Sequence, residues 1–246
     1  MNENIKVKTE KNVLILTINR PKKKNALNES MYLKFSDAFD LFEKDQTLKC
    51  MLIKSNGDAF CAGNDIKFFL ENYSLDIGSP VRSFLDKLTT IKKPLLAAVQ
   101  GAGIGIGLTL LLHCDIVFAA DDICLSAPFG KLGLVPEAGS SQILPALIGH
   151  RRATEIFLLG KKIKADEALS YGIVNAIVPL DKLHEIAFSA ACEITKLPFH
   201  AVYETKKLLK RSTDDLNKRI AEECDIFMEC VRNKNTKNIF KKFLKK

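Results

Sequence analysis

The sequence predicts an α/β protein in which pairs of short strands alternate with helices, followed by an all-helical C-terminal region. Two observations carry this. Short apolar runs suited to strands recur at 5–9, 13–19, 50–54, 95–99, 115–120, 123–127 and 174–178, and then stop. From residue 183 onward every apolar pattern has helical spacing, over 183–196, 200–210, 216–231 and 236–246. Two short strands followed by a helix is a theme that repeats coarsely through the first part, and such a series coils into a spiral more naturally than into an open doubly wound sheet. The boundary near residue 180 has no linker composition, so a core over 1–180 and a helical region over 181–246 are expected to pack together, or the helices to pack on a neighbour.

Each element has a local reason. Glu10-Lys11-Asn12 separates the first two runs as a hairpin turn, and Arg20-Pro21 ends the second. The polar, basic loop 21–27 leads to Asn28, a helix cap, after which Met31, Phe35, Ala38, Phe39 and Phe42 line one face. Strand 50–54 stops at Ser55-Asn56-Gly57, and residues 60–65, FCAGND, form a small-residue turn before a short helix or ordered loop at 66–70. Residues 73–80 read as a polar, mobile loop, and 81–91 as a helix. Residues 130–139 are irregular; helices follow at 140–148, limited by Pro145, at 151–159, and at 165–171, where Gly172 closes the last.

Composition narrows the class. The chain has 246 residues, 47% of them hydrophobic, which is enough for a real core. The net charge of +8 is partly concentrated in Lys22, Lys23 and Lys24 and in Lys241, Lys242, Lys245 and Lys246, which suits an anionic ligand or simply a solvated face. No basic stripe is interleaved with aromatics, which argues against a nucleic-acid partner. The seven cysteines are scattered without C-x-x-C spacing, which offers no metal site and fits a reducing compartment. The N-terminal residues lack a signal-peptide core, no stretch reaches a membrane span, and the terminus FKKFLKK is not a peroxisomal address; a cytosolic protein is expected.

The chemistry centres on residues 94–112, PLLAAVQGAGIGIGLTLLL. A buried strand runs into Gly101, Gly103, Gly105 and Gly107, and then into an apolar run, 108–112, that suits a buried helix. A dinucleotide fingerprint needs G-x-G-x-x-G at the first strand–helix turn, but the third position here is Ile106 or Leu108. The alternatives are a packing turn without chemistry, or an oxyanion hole in which a backbone N–H such as that of Ile106 receives a developing enolate oxygen.

Residues 19–28 (NRPKKKNALN), 60–65, 100–122, 132–141 (LGLVPEAGSS) and 160–179, taken in order, resemble the crotonase (enoyl-CoA hydratase/isomerase) superfamily. The resemblance implies a ββα-spiral core, a C-terminal helical trimerisation region giving a homotrimer or dimer of trimers, and acyl-CoA thioester substrates with no cofactor beyond the coenzyme A they carry. It also implies an oxyanion hole from the N–H groups of Asn64 and Ile106, and a CoA-binding region over Lys22–Lys24, Ala26, Ala62, Gly63, Asn64, Asp65 and Ile66. Lys242, Lys245 and Lys246 are further candidates for the 3′-phosphate, from this chain or a neighbouring subunit. Asp65 itself reads better as a turn residue than as a catalytic one.

The two glutamates that hydratases of the family use align with Thr109 and Phe129, which cannot act as carboxylates. A carboxylate appears instead at Glu137, where the resemblance is to the 3,2-trans-enoyl-CoA isomerase branch. One base that removes a proton from C2 and returns it at C4 meets that requirement, and the apolar neighbours Phe129, Leu134 and Val135 are expected to raise its pKa. The bland reading of Glu137 is a helix N-terminal acid favoured by the dipole. The expected function is therefore isomerisation of 3-enoyl-CoA in unsaturated fatty-acid degradation. The alternatives are another acyl-CoA enolate reaction, decarboxylation or hydration, and a non-catalytic CoA-fold binding module. His113, His150, His184 and His200 share no spacing and receive no role.

Overall fold

The computed structural model describes residues 4–71, 73–210 and 213–245. The predicted hairpin is β1 (Ile5–Glu10) and β2 (Val13–Ile18), paired antiparallel. Asn28 caps α1 (Glu29–Lys44), accepting the Met31 N–H at 3.1 Å, and the predicted apolar stripe is buried throughout. Next come β3 (Cys50–Ser55), β4 (Ala59–Cys61), α2 (Ile66–Glu71) and α3 (Pro80–Thr90), whose Phe84 meets Tyr32 and Phe35 edge-on. Then β5 (Leu95–Val99), β6 (Ala102–Ile104), α4 (Ile106–Thr109), β7 (Ile116–Ala120) and β8 (Cys124–Ser126) carry the chain through its glycine-rich centre. The core is completed by α5 (Ser140–Ile148), α6 (His150–Leu159), β9 (Ile163–Lys164), α7 (Ala165–Ser170) and β10 (Ala176–Val178).

The strands form a six-stranded sheet in the order β1-β2-β3-β5-β7-β10 and a four-stranded sheet in the order β4-β6-β8-β9. Successive pairs β3/β4, β5/β6 and β7/β8 each give one strand to each sheet, and the pairings between turns are parallel. Repeating that step winds the chain into a spiral, as expected. The inner strands β2, β3 and β5 of the large sheet are covered on both faces, which explains their apolar runs. Leu14, Leu16 and Ile18 face the main core, while Val13 and Ile15 face Leu183, Ala187 and Ala191 of α8 (Leu183–Lys196).

The remaining helices pack on the spiral. Lys206 of α9 (Phe199–Leu209) is buried, donating to Asp115 Oδ2 and to the Lys93 carbonyl at 2.6 Å each. From α10 (Thr213–Arg232) and α11 (Lys234–Leu244), Phe227 and Phe240 enter the main core against Phe69. No helix among the described residues is long and apolar enough to cross a membrane.

Two expectations are corrected, and two strands are added that the sequence did not predict. The helix foreseen over 108–112 is only the single turn of α4, which tightens into a 3-10 turn at Leu110–His113. The chain has little room there, because the Asp115 N–H already bonds the Leu95 carbonyl at 2.7 Å on re-entering the sheet. β6 and β9 were invisible as strands, being three and two residues long and, for β6, inside the glycine run. The supposedly mobile stretch 73–80 begins in the core: Tyr73 and Leu75 are buried, with the Tyr73 ring against Phe68, Phe69 and Phe227. Its polar sequence concealed one aromatic anchor. Because Phe240 fills core space from α11, Phe240→Ala is expected to lower the unfolding free energy by about 3–5 kcal/mol. Asn28→Ala, which removes one cap, should cost about 1 kcal/mol. Denaturant titration of both variants measures the difference, and equal losses would show that α11 is peripheral.

Candidate active site

The two glycine-containing turns meet because β4 and β6 are parallel neighbours, with Ala59 opposite Ala102 and Cys61 opposite Gly103. Both strands therefore release their following residues at the same edge. Beyond β4, the Leu27 N–H donates to the Gly63 carbonyl and the Asp65 N–H to the Leu27 carbonyl, each at 2.8 Å. In that parallel arrangement the N–H of Asn64, between them, faces away from Leu27. Beyond β6, Ile106 opens α4, where the first N–H groups have no partner within the helix. A side chain at Gly107 would collide with the Cys61 carbonyl, so glycine is what allows α4 to lie against β4. Among the described residues neither the Asn64 nor the Ile106 N–H has an acceptor, and both residues line one cavity of about 620 Å³.

Ala62, Gly63, Asp65 and Ile66 line the same cavity, as do Lys24 and Ala26. Lys22 does not: it is exposed in the 3-10 turn Pro21–Lys23, and Lys23 takes its place on the wall. The turn is shaped by Asn25, which is fully buried in a left-handed conformation (φ 58°). Its amide donates to the carbonyls of Asn56 and Ala59 at 2.8 and 2.6 Å and accepts from the Arg20 N–H. Asp65 is a turn residue, as read from the sequence: it accepts from Lys67 N–H and pairs with Arg20 Nη1 at 2.9 Å. Lys242 of α11 reaches the wall within the same chain, beside Ile239 and Phe243; Lys245 does not, and Lys246 lies outside the described residues.

Glu137 is 2% exposed and does not itself line the cavity. It follows Leu134, which does, and its Oε1 accepts the Thr109 hydroxyl at 2.5 Å, one helical turn after Ile106. Burial pushes the Glu137 carboxyl from its ordinary 4.5 up to about 8, with the Thr109 hydrogen bond opposing and the charge of Glu223 adding to the rise. Phe129, the other position aligned with a hydratase acid, is a buried wall residue.

Several residues at the site carried no sequence signal. The Tyr32 hydroxyl donates to Asn64 Oδ1 at 2.5 Å. Tyr32 belongs to the buried face of α1, beside the apolar stripe read from spacing but not part of it. His113 Nε2 lies 2.7 Å from the Ala138 carbonyl, and burial pushes the imidazole down to about 4, so it is neutral at neutral pH and donates its Nε2 proton there. Glu223, from α10, accepts the N–H groups of Gly139 and Ser141. These partners come from distant segments, and nothing in the local pattern links them to Glu137.

The sequence profile described as enoyl-CoA hydratase/isomerase matches residues 8–246. Human enoyl-CoA delta isomerase 2 is 33% identical over 91% of this chain, which spans 59% of that protein's length. Crotonyl-CoA hydratase of Syntrophomonas wolfei subsp. wolfei is 31% identical over 99% of this chain and 96% of its own. The solved structure of Pseudomonas aeruginosa OdaA superposes with a TM-score of 0.95 at 39% identity, covering 100% of both chains. With a spiral core, two open N–H groups on one cavity and a match over nearly its whole length, the chain belongs to the enoyl-CoA hydratase/isomerase family, the crotonase superfamily.

Proposed function

We propose that this protein isomerises 3-enoyl-CoA to trans-2-enoyl-CoA, in the degradation of unsaturated fatty acids. The observation that carries this reading is that the dry carboxylate of Glu137 meets a threonine, Thr109, at the position where hydratases have an acid. In this reading the Glu137 carboxylate takes the proton from C2 of the thioester. The electron pair moves onto the thioester oxygen, and the N–H groups of Asn64 and Ile106 hold the resulting dienolate. Collapse of the dienolate draws the proton from Glu137 to C4 and leaves the double bond between C2 and C3. No water enters the balance, which suits a base that burial keeps from solvent. The nucleotide end of coenzyme A lies along Ala26, Ala62–Ile66 and the basic loop, with Lys23, Lys24 and Lys242 meeting its phosphates and Lys22 at the exposed margin. A homotrimer or dimer of trimers, assembled through the helical region 181–246 in the cytosol, completes the proposal.

Hydration is the second reading, favoured by the likeness to the crotonyl-CoA hydratase. It needs a second carboxylate to hold the water. The other buried one, Glu223, already has both oxygens occupied by backbone N–H groups.

The deciding measurement is turnover of 3-enoyl-CoA against crotonyl-CoA. Glu137→Gln is expected to lower kcat for isomerisation at least about 100-fold, and full activity in that variant would remove Glu137 as the base; rapid wild-type hydration of crotonyl-CoA would favour the second reading. The active form is the carboxylate, so kcat/KM of the wild type should rise with pH and level off above about 8. Thr109→Val removes a hydrogen bond that favours the charged form, and should move that midpoint upward. Stability has the opposite sign. A raised carboxyl pKa contributes stability that is complete below the ordinary 4.5 and is lost as pH rises through about 8. Glu137→Gln should therefore melt higher than wild type above pH 8, and thermal scans across pH will show whether it does.

A further inference from the structure

We propose that Glu223, on α10, is a positioning residue for Glu137: its carboxylate clamps the Ala138–Gly139 bend that aims the base. The inference rests on the reading of Glu137 as the base. Ala138 is held at φ 59°, a left-handed conformation that residues with a Cβ seldom adopt, and it directly follows Glu137. Such a conformation persists only where its surroundings over-determine it. Here they do. Glu223 Oε2 accepts the Gly139 N–H at 2.6 Å, and Oε1 accepts the Ser141 N–H at 3.0 Å. On the other side of the bend His113 donates to the Ala138 carbonyl, and the Ser140 N–H closes onto the Glu137 carbonyl at 3.1 Å.

The spacing of α10 serves the clamp. Leu216, Ile220 and Glu223 lie at i, i+4 and i+7 and so share one face. Leu216 and Ile220 press on Gly139, where any added side chain would run into Leu216. The apolar pair thus seats the helix against the bend, and the acid beyond them takes its two N–H groups. Charge is the second part of the clamp. The titratable groups facing Glu137 are Tyr32 of α1, Cys61 of β4, Tyr73 after α2, and Cys224 and Glu223 of α10. Burial pushes the two thiols up to about 12 and the two phenols well above 10, so these four are neutral in the working range. Glu223 is the one carboxyl group among them; burial pushes it up while the N–H groups of Gly139 and Ser141 hold it down, and in its charged form it favours the protonated state of Glu137.

The test uses the full chain, with Glu223→Gln and Glu223→Asp. Glu223→Gln keeps one accepting oxygen but turns an NH₂ toward the second N–H. Its kcat is expected to fall about tenfold or more through misplacement of the base, with KM for the CoA thioester unchanged, and its pH midpoint should move downward. Glu223→Asp keeps the charge but is too short to span both N–H groups, so it should lose kcat while keeping the wild-type midpoint. Two readouts are independent of isomerase activity. ¹³C-carboxyl NMR, assigned with Glu137→Gln, follows the titration of Glu137 itself, and hydrogen exchange in the wild type should find the Gly139 and Ser141 amides slow. Fast exchange at both amides, or a Glu223→Gln enzyme with wild-type kcat and an unmoved Glu137 titration, would overturn the clamp. A wild type inactive on 3-enoyl-CoA removes the isomerase reading, while the titration and exchange still decide whether Glu223 sets the state of Glu137.

Discussion

A carboxylate held out of water is the constraint on which the rest of this structure depends. Glu137 takes part in no ion pair among the described residues, and the side chain that touches it is a hydroxyl, Thr109. An adjacent lysine or arginine would stabilise its charge and lower its proton affinity. The neighbourhood avoids this. The phenols of Tyr32 and Tyr73 and the thiols of Cys61 and Cys224 sit in the same dry region and are driven toward their neutral forms. The basic residues of the cavity, Lys23, Lys24, Lys131 and Lys242, line its wall, which Glu137 does not. One molecule therefore keeps two electrostatic regimes, a cationic wall and a dry interior around Glu137.

The spiral makes that separation possible. Each turn leaves one strand in a sheet buried on both faces and delivers the next to the smaller sheet, so β4 and β6 end side by side at the cavity. The N–H groups of Asn64 and Ile106 are then held by backbone pairing rather than by mobile side chains. Leu27 adds to this by pairing with the β4 turn from outside, which joins the basic loop to the turn that carries Asn64. Preorganised donors of this kind need no rearrangement when charge develops on an oxygen.

Much of this was legible in the sequence because it is local. The FCAGND turn, the glycine run and Glu137 are each defined by a few adjacent residues, and the loss of acids at Thr109 and Phe129 could be read by position. What escaped was long-range or conformational. Glu223 lies on an amphipathic helix like any other acid, His113 has no motif around it, and Tyr73 stands in a polar segment. Lys22 and Lys23 are indistinguishable in the sequence. A 3-10 turn and a left-handed Lys24–Asn25 pair decide which of them faces the cavity. The short strands β6 and β9 carry too few side chains to show a period, and exist because their neighbours do.

The cavity wall draws on residues near position 24 and again near position 242. A contact between such distant parts of the chain closes a very long loop, at an entropic cost that contacts nearer in sequence avoid. On the ribosome, the spiral can compact while α11 is still unmade, and the wall is finished only when that helix emerges and docks through Phe240 onto Phe69. The same order runs in reverse under stress. Detachment of α11 would take Ile239, Lys242, Phe243 and Leu244 from the cavity wall and uncover Phe69, so a partly loosened molecule would keep its two sheets and lose one side of its pocket.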